Sequence, residues 1–130
     1  MKNKEVNTYK KVMVCVTRQK NCERLVKAGE KIALKRKEEL IVIHVAKTGD
    51  KFMGDPHEGA VLDFLFRCAK NAQAEMHIIR ADDIVSAIEK FAKEQDVSVI
   101  VLGSPPPSES SGGLTYKVMQ RLTDVKFEIL

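Results

Sequence analysis

Val97–Thr115, VSVIVLGSPPPSESSGGLT, reads as a buried strand, a Gly-Ser turn, an irregular loop, a Gly-Gly pair and the start of a helix. In α/β proteins such a passage is where phosphate-bearing ligands sit. Backbone N–H groups of the turn and of the helix N-terminus point outward there, unpaired and partly positive. The middle of the loop argues the other way, because Pro105 to Pro107 and Glu109 make a poor phosphate cradle.

Working outward, the chain alternates short apolar runs with helical periodicity. Val12 to Val16 is a continuous run, followed by Cys22, Leu25, Val26, Gly29, Ile32 and Ala33 at spacings of three and four. Leu40 to Val45 is a second run. After a loop containing Gly49, Gly54 and Pro56 comes a stripe of Val61, Phe64, Leu65, Cys68, Ala69 and Ala72. A short strand around Met76 and Ile78 precedes Asp82 or Asp83, either of which can cap a helix facing inward through Ile84, Ile88, Phe91 and Ala92. Beyond the opening stretch, Leu114, Val118, Met119 and Leu122 are expected to face inward, and Val125, Phe127 and Ile129 alternate in a last strand. The expectation is one β-α-β-α-β-α-β-α-β domain over 10–130, behind a flexible N-terminal tail at 1–9.

Strands buried on both faces read as continuous apolar runs, whereas half-exposed strands alternate. The first, second and fourth runs are continuous and belong in the middle. EMHIIR and VKFEIL are more polar or strictly alternating and belong at the edges. Right-handed crossovers then give an open five-stranded parallel sheet in the order 3-2-1-4-5, with helices on both faces. The chain changes its direction of travel between strands 1 and 4, and ligands of open α/β sheets bind in the crevice at such a point. The loops at that crevice are Thr17 to Asn21 and Gly103 to Gly113.

Composition excludes several classes. The 130 residues carry a net charge of +4 from mixed acidic and basic side chains, and only 5% are aromatic, so no nucleic-acid partner is expected. The start, MKNKEVNTYK, has no apolar leader region, and no run has the length of a membrane span. Three cysteines at unrelated spacings indicate a reducing compartment, hence a cytoplasmic protein with no membrane partner. G-x-G-x-x-G, G-x-x-x-x-G-K-[ST] and G-x-S-x-G are all absent, and Thr17 stands where a phosphoacceptor carboxylate would. His44, His57 and His77 form no metal-ligand spacing, so no metal is expected. His44 reads as a packed or hydrogen-bonded strand residue, and Cys15 and Cys68 read as small hydrophobes. Cys22, near a helix start, is better read as structural than as a thiol of lowered pKa. No catalytic constellation emerges, and the chain is not expected to be an enzyme.

KVMVCVT, EELIVIHVAK and above all DDIVSAIEKFAKEQDVSVIVLGS resemble the universal stress protein family over roughly Lys10 to Leu130. The last of these stretches also resembles the stress-protein-type domain of osmosensing potassium sensor kinases. The resemblance implies the same 3-2-1-4-5 sheet, an adenine-nucleotide crevice in many members, and dimerisation through the last strand. Carried over by position, Val45 lies near the base, and Thr17 replaces an aspartate that commonly helps hold the nucleotide. In the family's G-x2-G-x9-G-[ST] phosphate motif, Gly103 matches the first glycine and Pro106 stands at the second. Gly112 best matches the third, with Gly113 in place of the hydroxyl residue. Eight residues separate Gly103 from Gly112, four fewer than the twelve of the family pattern.

Prolines donate no N–H and fix φ, so this loop lacks a nest of successive donors. Ser104, Ser108, Ser110 and Ser111 still offer hydroxyls, and Arg18 or Lys20 offers positive charge. Two readings follow. The favoured one is a cytoplasmic regulatory domain with a degraded ATP motif. It needs no cofactor and acts as a homodimer, through Val125, Phe127 and Ile129, and through contacts with an unidentified protein partner. The alternative is a sensor of ATP, AMP or a cyclic dinucleotide using Thr17, Arg18, Val45, Gly103, Ser104, Gly112, Gly113, Leu114 and Thr115. A weak nucleotide hydrolase ranks last, for want of a base or a metal-binding carboxylate.

Overall fold

The computed structural model describes residues 7–16, 19–49, 58–103 and 113–130. Nine elements alternate along the chain: β1 (Asn7–Cys15), α1 (Gln19–Arg36), β2 (Glu38–Lys47), α2 (Glu58–Asn71), β3 (Glu75–Ala81), α3 (Ile84–Glu94), β4 (Val97–Leu102), α4 (Leu114–Arg121) and β5 (Lys126–Ile129). The five strands form one sheet in the order β3-β2-β1-β4-β5, and every neighbouring pair is parallel. The order expected from the strand patterns is the order found. β1 starts at Asn7, so the sheet takes up residues 7–9 of the stretch expected as a tail.

The central strands carry apolar residues on both faces because helices cover both. Val12, Val14, Leu40, Val42, Val99 and Val101 meet α1 and α2 on one side. Met13, Ile41, Ile43, Val45, Ile100 and Leu102 meet α3 and α4 on the other. Strict alternation would put Val97 with Val99, yet it joins the α3/α4 side. The register against β1 slips between Lys11 and Val12, which pair with Val97 and Val99. Ser98 is the extra residue; its hydroxyl donates to the Glu38 carboxylate and its oxygen lies 3.3 Å from Lys11 O. A small polar residue with local partners suits a bulge, where ladder bonds are lost.

Helix ends explain how the crossovers stay short. Asp83 caps α3, its carboxylate accepting from the Ser86 N–H at 3.1 Å. Lys37, Gln73 and Asp96, just past α1, α2 and α3, all take left-handed φ near +55° (56°, 56° and 54°). At Gln73 the chain closes a Schellman turn, Ala74 N–H bonding Ala69 O at 2.9 Å and Gln73 N–H bonding Lys70 O at 3.0 Å. None of the three is glycine, which would hold that conformation without a Cβ penalty.

Gly29, on the sheet-facing side of α1, has a different reason to be glycine. A methyl built there runs into Val14 Cγ2 and stands 3.1 Å from Leu40 Cδ1. The missing side chain lets α1 sit close on the middle of the sheet. One inward expectation is corrected. Met119 is 39% exposed, because α4 buries only the narrow stripe Thr115, Val118 and Leu122. This helix packs beside α3, its Val118 joining the same apolar cluster as Val85, Ile88 and Ala92.

Candidate functional site

The crevice lies where β1 and β4 part. β1 runs on to the buried Val16, whose N–H bonds Ile43 O of β2 at 2.9 Å. From β2, His44 reaches back over the same point, with Nδ1 2.7 Å from Val16 O. A carbonyl only accepts, so Nδ1 carries the proton and the neutral ring holds its hydrogen on that nitrogen. His44 is 4% exposed, and burial pushes its pKa below the ordinary 6.5; the Val16 bond opposes this, and the Arg80 charge adds to it. The expected packed, hydrogen-bonded strand histidine is thus found, and its partner is the backbone at the crevice end of β1.

On the other side of the crevice, β4 ends at Leu102 and leads into Gly103. Thr115, in the first turn of α4, is buried and donates its hydroxyl proton to Gly103 O at 3.2 Å. A hydroxyl has one proton, so this threonine as arranged offers only lone pairs to a ligand. Gly113 takes the N-cap position with extended backbone and no side-chain bond to the helix. The first-turn N–H groups of α4 therefore receive no cap from that residue.

The structure brings Val45, Gly103, Gly113, Leu114 and Thr115 to one end of the sheet. Val45 is buried in the same apolar cluster as Cys15 and Leu102, and Leu114 packs against that cluster. Thr17, Arg18, Ser104 and Gly112, together with Pro105 to Ser111, lie outside the described residues. Arg80, at the far end of β3, donates to Lys47 O at 3.3 Å and ties together the outer strand ends on the same side. Sequence reading missed two things here: the inward bond of Thr115 and the histidine clasp on Val16. Both join residues far apart in the chain and leave no local pattern.

The cysteines are placed as their small-hydrophobe reading implies. Cys15 and Cys22 are both buried, and burial pushes each thiol up to about 12. The alternative of an activated Cys22 is thereby corrected: desolvation raises its pKa, and neighbouring Cys68 and Glu23 raise it further. Among the described residues, no group of three His, Cys, Asp or Glu stands together to hold a metal. None of their helices is long and apolar enough to cross a membrane.

An open parallel sheet whose order reverses between β1 and β4, with the start of α4 beside the reversal, defines a doubly wound α/β domain. Comparison with known proteins narrows this. Residues 8–122 match the model of the universal stress protein family, and the chain belongs to that family. It is also 34% identical over 96 residues to the sensor protein KdpD of Mycobacterium tuberculosis, covering 72% of this chain but 11% of that protein. The chain thus spans about a tenth of that curated relative's length. Among solved structures, a universal stress protein from Archaeoglobus fulgidus superposes with a TM-score of 0.75 at 18% identity, covering 94% of this chain and 93% of its own. A universal stress protein in complex with cAMP gives 0.72 at 17% identity, covering 95% and 98%. The Archaeoglobus fulgidus protein in complex with dAMP gives 0.67 at 17% identity, covering 95% and 98%. At such identities the likeness is one of fold.

Proposed function

We propose that this chain is a non-enzymatic, cytoplasmic regulatory domain that works by pairing with a second copy and with a protein partner, and that it has given up the family's standard grip on ATP. The observation that carries the reading is the state of the crevice's β4–α4 side. Thr115 spends its proton on Gly103 O, and the connecting loop holds three prolines where a phosphate nest needs N–H donors. The surface this reading uses is the outer edge of β5, the last strand of the sheet.

That edge has a definite geometry. Leu130 N–H bonds Leu102 O at 2.9 Å, so the backbone groups of Leu130 and Glu128 point toward β4. By the two-residue period of a strand, those of Phe127 and Ile129 point outward, available to another strand. Val125, Phe127 and Ile129 pack their side chains on the α3/α4 cluster, holding the edge firm. Light scattering of the purified chain is expected to give a dimer at high micromolar concentration. Ile129→Pro removes an outward N–H without touching the bonds to β4, so a folded monomer is expected. A monomeric wild type, or a dimer unaffected by Ile129→Pro, refutes the pairing.

A second reading is an adenine-nucleotide sensor. Two observations favour it: the helix start at Gly113 has no side-chain cap, and structural relatives were solved with cAMP and dAMP. Thermal-shift titration with AMP and cAMP separates the two. A saturable rise in Tm with either one moves the conclusion to the sensor, and no shift with both removes it.

A further inference from the structure

Helix α1 carries more positive charge than its own stability calls for. Its first turn has no acidic residue, although the N-terminal end of a helix favours negative charge. Lys27, Lys31 and Lys35 follow one another at four-residue steps, with Arg24 a turn before them, and all four are exposed. Such neighbours share a face about 6 Å apart along the axis, where like charges repel. Lys35, in the last turn, suits the helix dipole, but the other three gain nothing from it. Among the described residues none of the four has an ion-pair partner. Leu34 lies on the flank of this row, three residues after Lys31, and is 74% exposed, more than any other large hydrophobic side chain among the described residues. On the same flank Glu30 and Leu34 border a recess of about 450 Å³ that Glu38, Glu39 and Glu75 also line. The cations thus form one ridge, about 16 Å long and a helix wide, edged by carboxylates.

That edge decides the kind of partner. A bilayer or a nucleic-acid duplex is broader than one helix face and would press its anions onto Glu30 and Glu39 as well. A single nucleic-acid strand is narrow enough, but α1 has no aromatic side chain on which bases could stack. A second helix is about 10 Å across with its side chains, and its own four-residue rows repeat at the same 6 Å. We propose that the exposed ridge of α1 docks an acidic amphipathic helix of the partner protein. Carboxylates four residues apart meet Lys27, Lys31 and Lys35, Arg24 extends the row, and an apolar side chain beside them covers Leu34. The inference gives a chemistry to the protein partner of the regulatory reading above and rests on it. It needs neither pairing at β5 nor any particular state of the crevice.

The test is fluorescence anisotropy of a labelled peptide titrated with the full chain. The peptide has glutamate at every fourth residue, leucine just before each glutamate and alanine elsewhere. Saturable binding is expected, and added sodium chloride should weaken it. Lys27→Glu with Lys31→Glu should weaken it roughly tenfold or more, as two exposed attractions become repulsions. Leu34→Ala should weaken it severalfold through lost apolar contact. Lys90→Glu with Lys117→Glu makes the same change in net charge at exposed positions of α3 and α4, and should alter binding by less than about twofold. All these side chains are exposed, so each variant should keep the wild-type circular dichroism spectrum. No binding overturns the proposal, as does equal binding of the peptide with glutamine in place of glutamate, or an equal loss in the α3/α4 control. A tighter hold on phosphatidylglycerol vesicles or on oligothymidylate through the same two lysines also overturns it, assigning the ridge to a lipid surface or to nucleic acid. Light scattering reports on β5 separately, so failure of the peptide strikes this docking alone.

Discussion

Gly29→Ala sets two known effects against each other, and the structure decides between them. In the interior of an exposed helix the change would stabilise by about 1 kcal/mol, since alanine loses less backbone entropy than glycine. Here the new methyl overlaps Val14 Cγ2, the branch of a fully buried β-branched side chain in the central strand. Valine has a single stiff χ1 and packed neighbours on all sides, so it cannot swing away. The second neighbour, Leu40 Cδ1, is the end of a longer side chain and can yield by a few tenths of an ångström. Overpacking of this kind costs roughly 1–3 kcal/mol, which exceeds the propensity gain. The expected net is a loss of ~1 kcal/mol, or about 4 °C in Tm for a chain of this size. Urea titration followed by circular dichroism measures it, with Gly59→Ala as a control, because nothing lies within 4 Å of a methyl there. A double-mutant cycle with Val14→Ala should show favourable coupling as the overlap is relieved. A Gly29→Ala protein as stable as the wild type or more so would refute the close α1–sheet contact.

The other predictions concern helix ends, pH and the sheet edge. Lys37→Gly and Gln73→Gly place glycine at left-handed positions and should each stabilise by about 0.5–1 kcal/mol, read by the urea midpoint. His44 has a pKa below 6.5 when folded, so the unfolded chain binds its proton more readily. Its contribution is complete above about pH 6.5 and is lost as pH falls toward the folded value. In His44→Phe that part of the acid dependence should flatten, with roughly 1–3 kcal/mol lost at neutral pH as the Val16 carbonyl loses its buried partner. Asp83 and Glu89 have lowered pKa values from their bonds to Ser86 and to Lys93 and Arg121, so further stability drains at lower pH as they protonate. Ile129→Pro should separate the copies while leaving the circular dichroism spectrum unchanged.

The architecture was readable because burial on one or both faces leaves different marks on a strand. VMVCV, LIVIHV and VSVIVL had to be central and VKFEIL had to be an edge, and right-handed crossovers allowed little else. What escaped reading depended on partners distant in sequence. The bulge at Ser98 is set by its neighbours Lys11 and Glu38, not by a glycine. Left-handed turns at Lys37, Gln73 and Asp96 carry no Gly or Asn to announce them. Met119 has the spacing of a core residue, but α4 buries only Thr115 and Val118 and leaves it outside. At the crevice, the Gly103–Thr115 ends could be placed from topology, and Val45 only from the family resemblance. The bonds that set their chemistry, Thr115 to Gly103 and His44 to Val16, could not, because the second spans 28 residues and the first turns a predicted ligand donor inward.

The proposed loss of ATP binding is tested most directly by calorimetric titration of the purified chain with ATP and Mg²⁺ at protein concentrations of about 100 μM, enough to register micromolar binding. No saturable heat is predicted, since prolines replace the N–H donors and Thr115 has no proton to give. A one-to-one isotherm with a Kd in the low micromolar range or tighter would contradict the account.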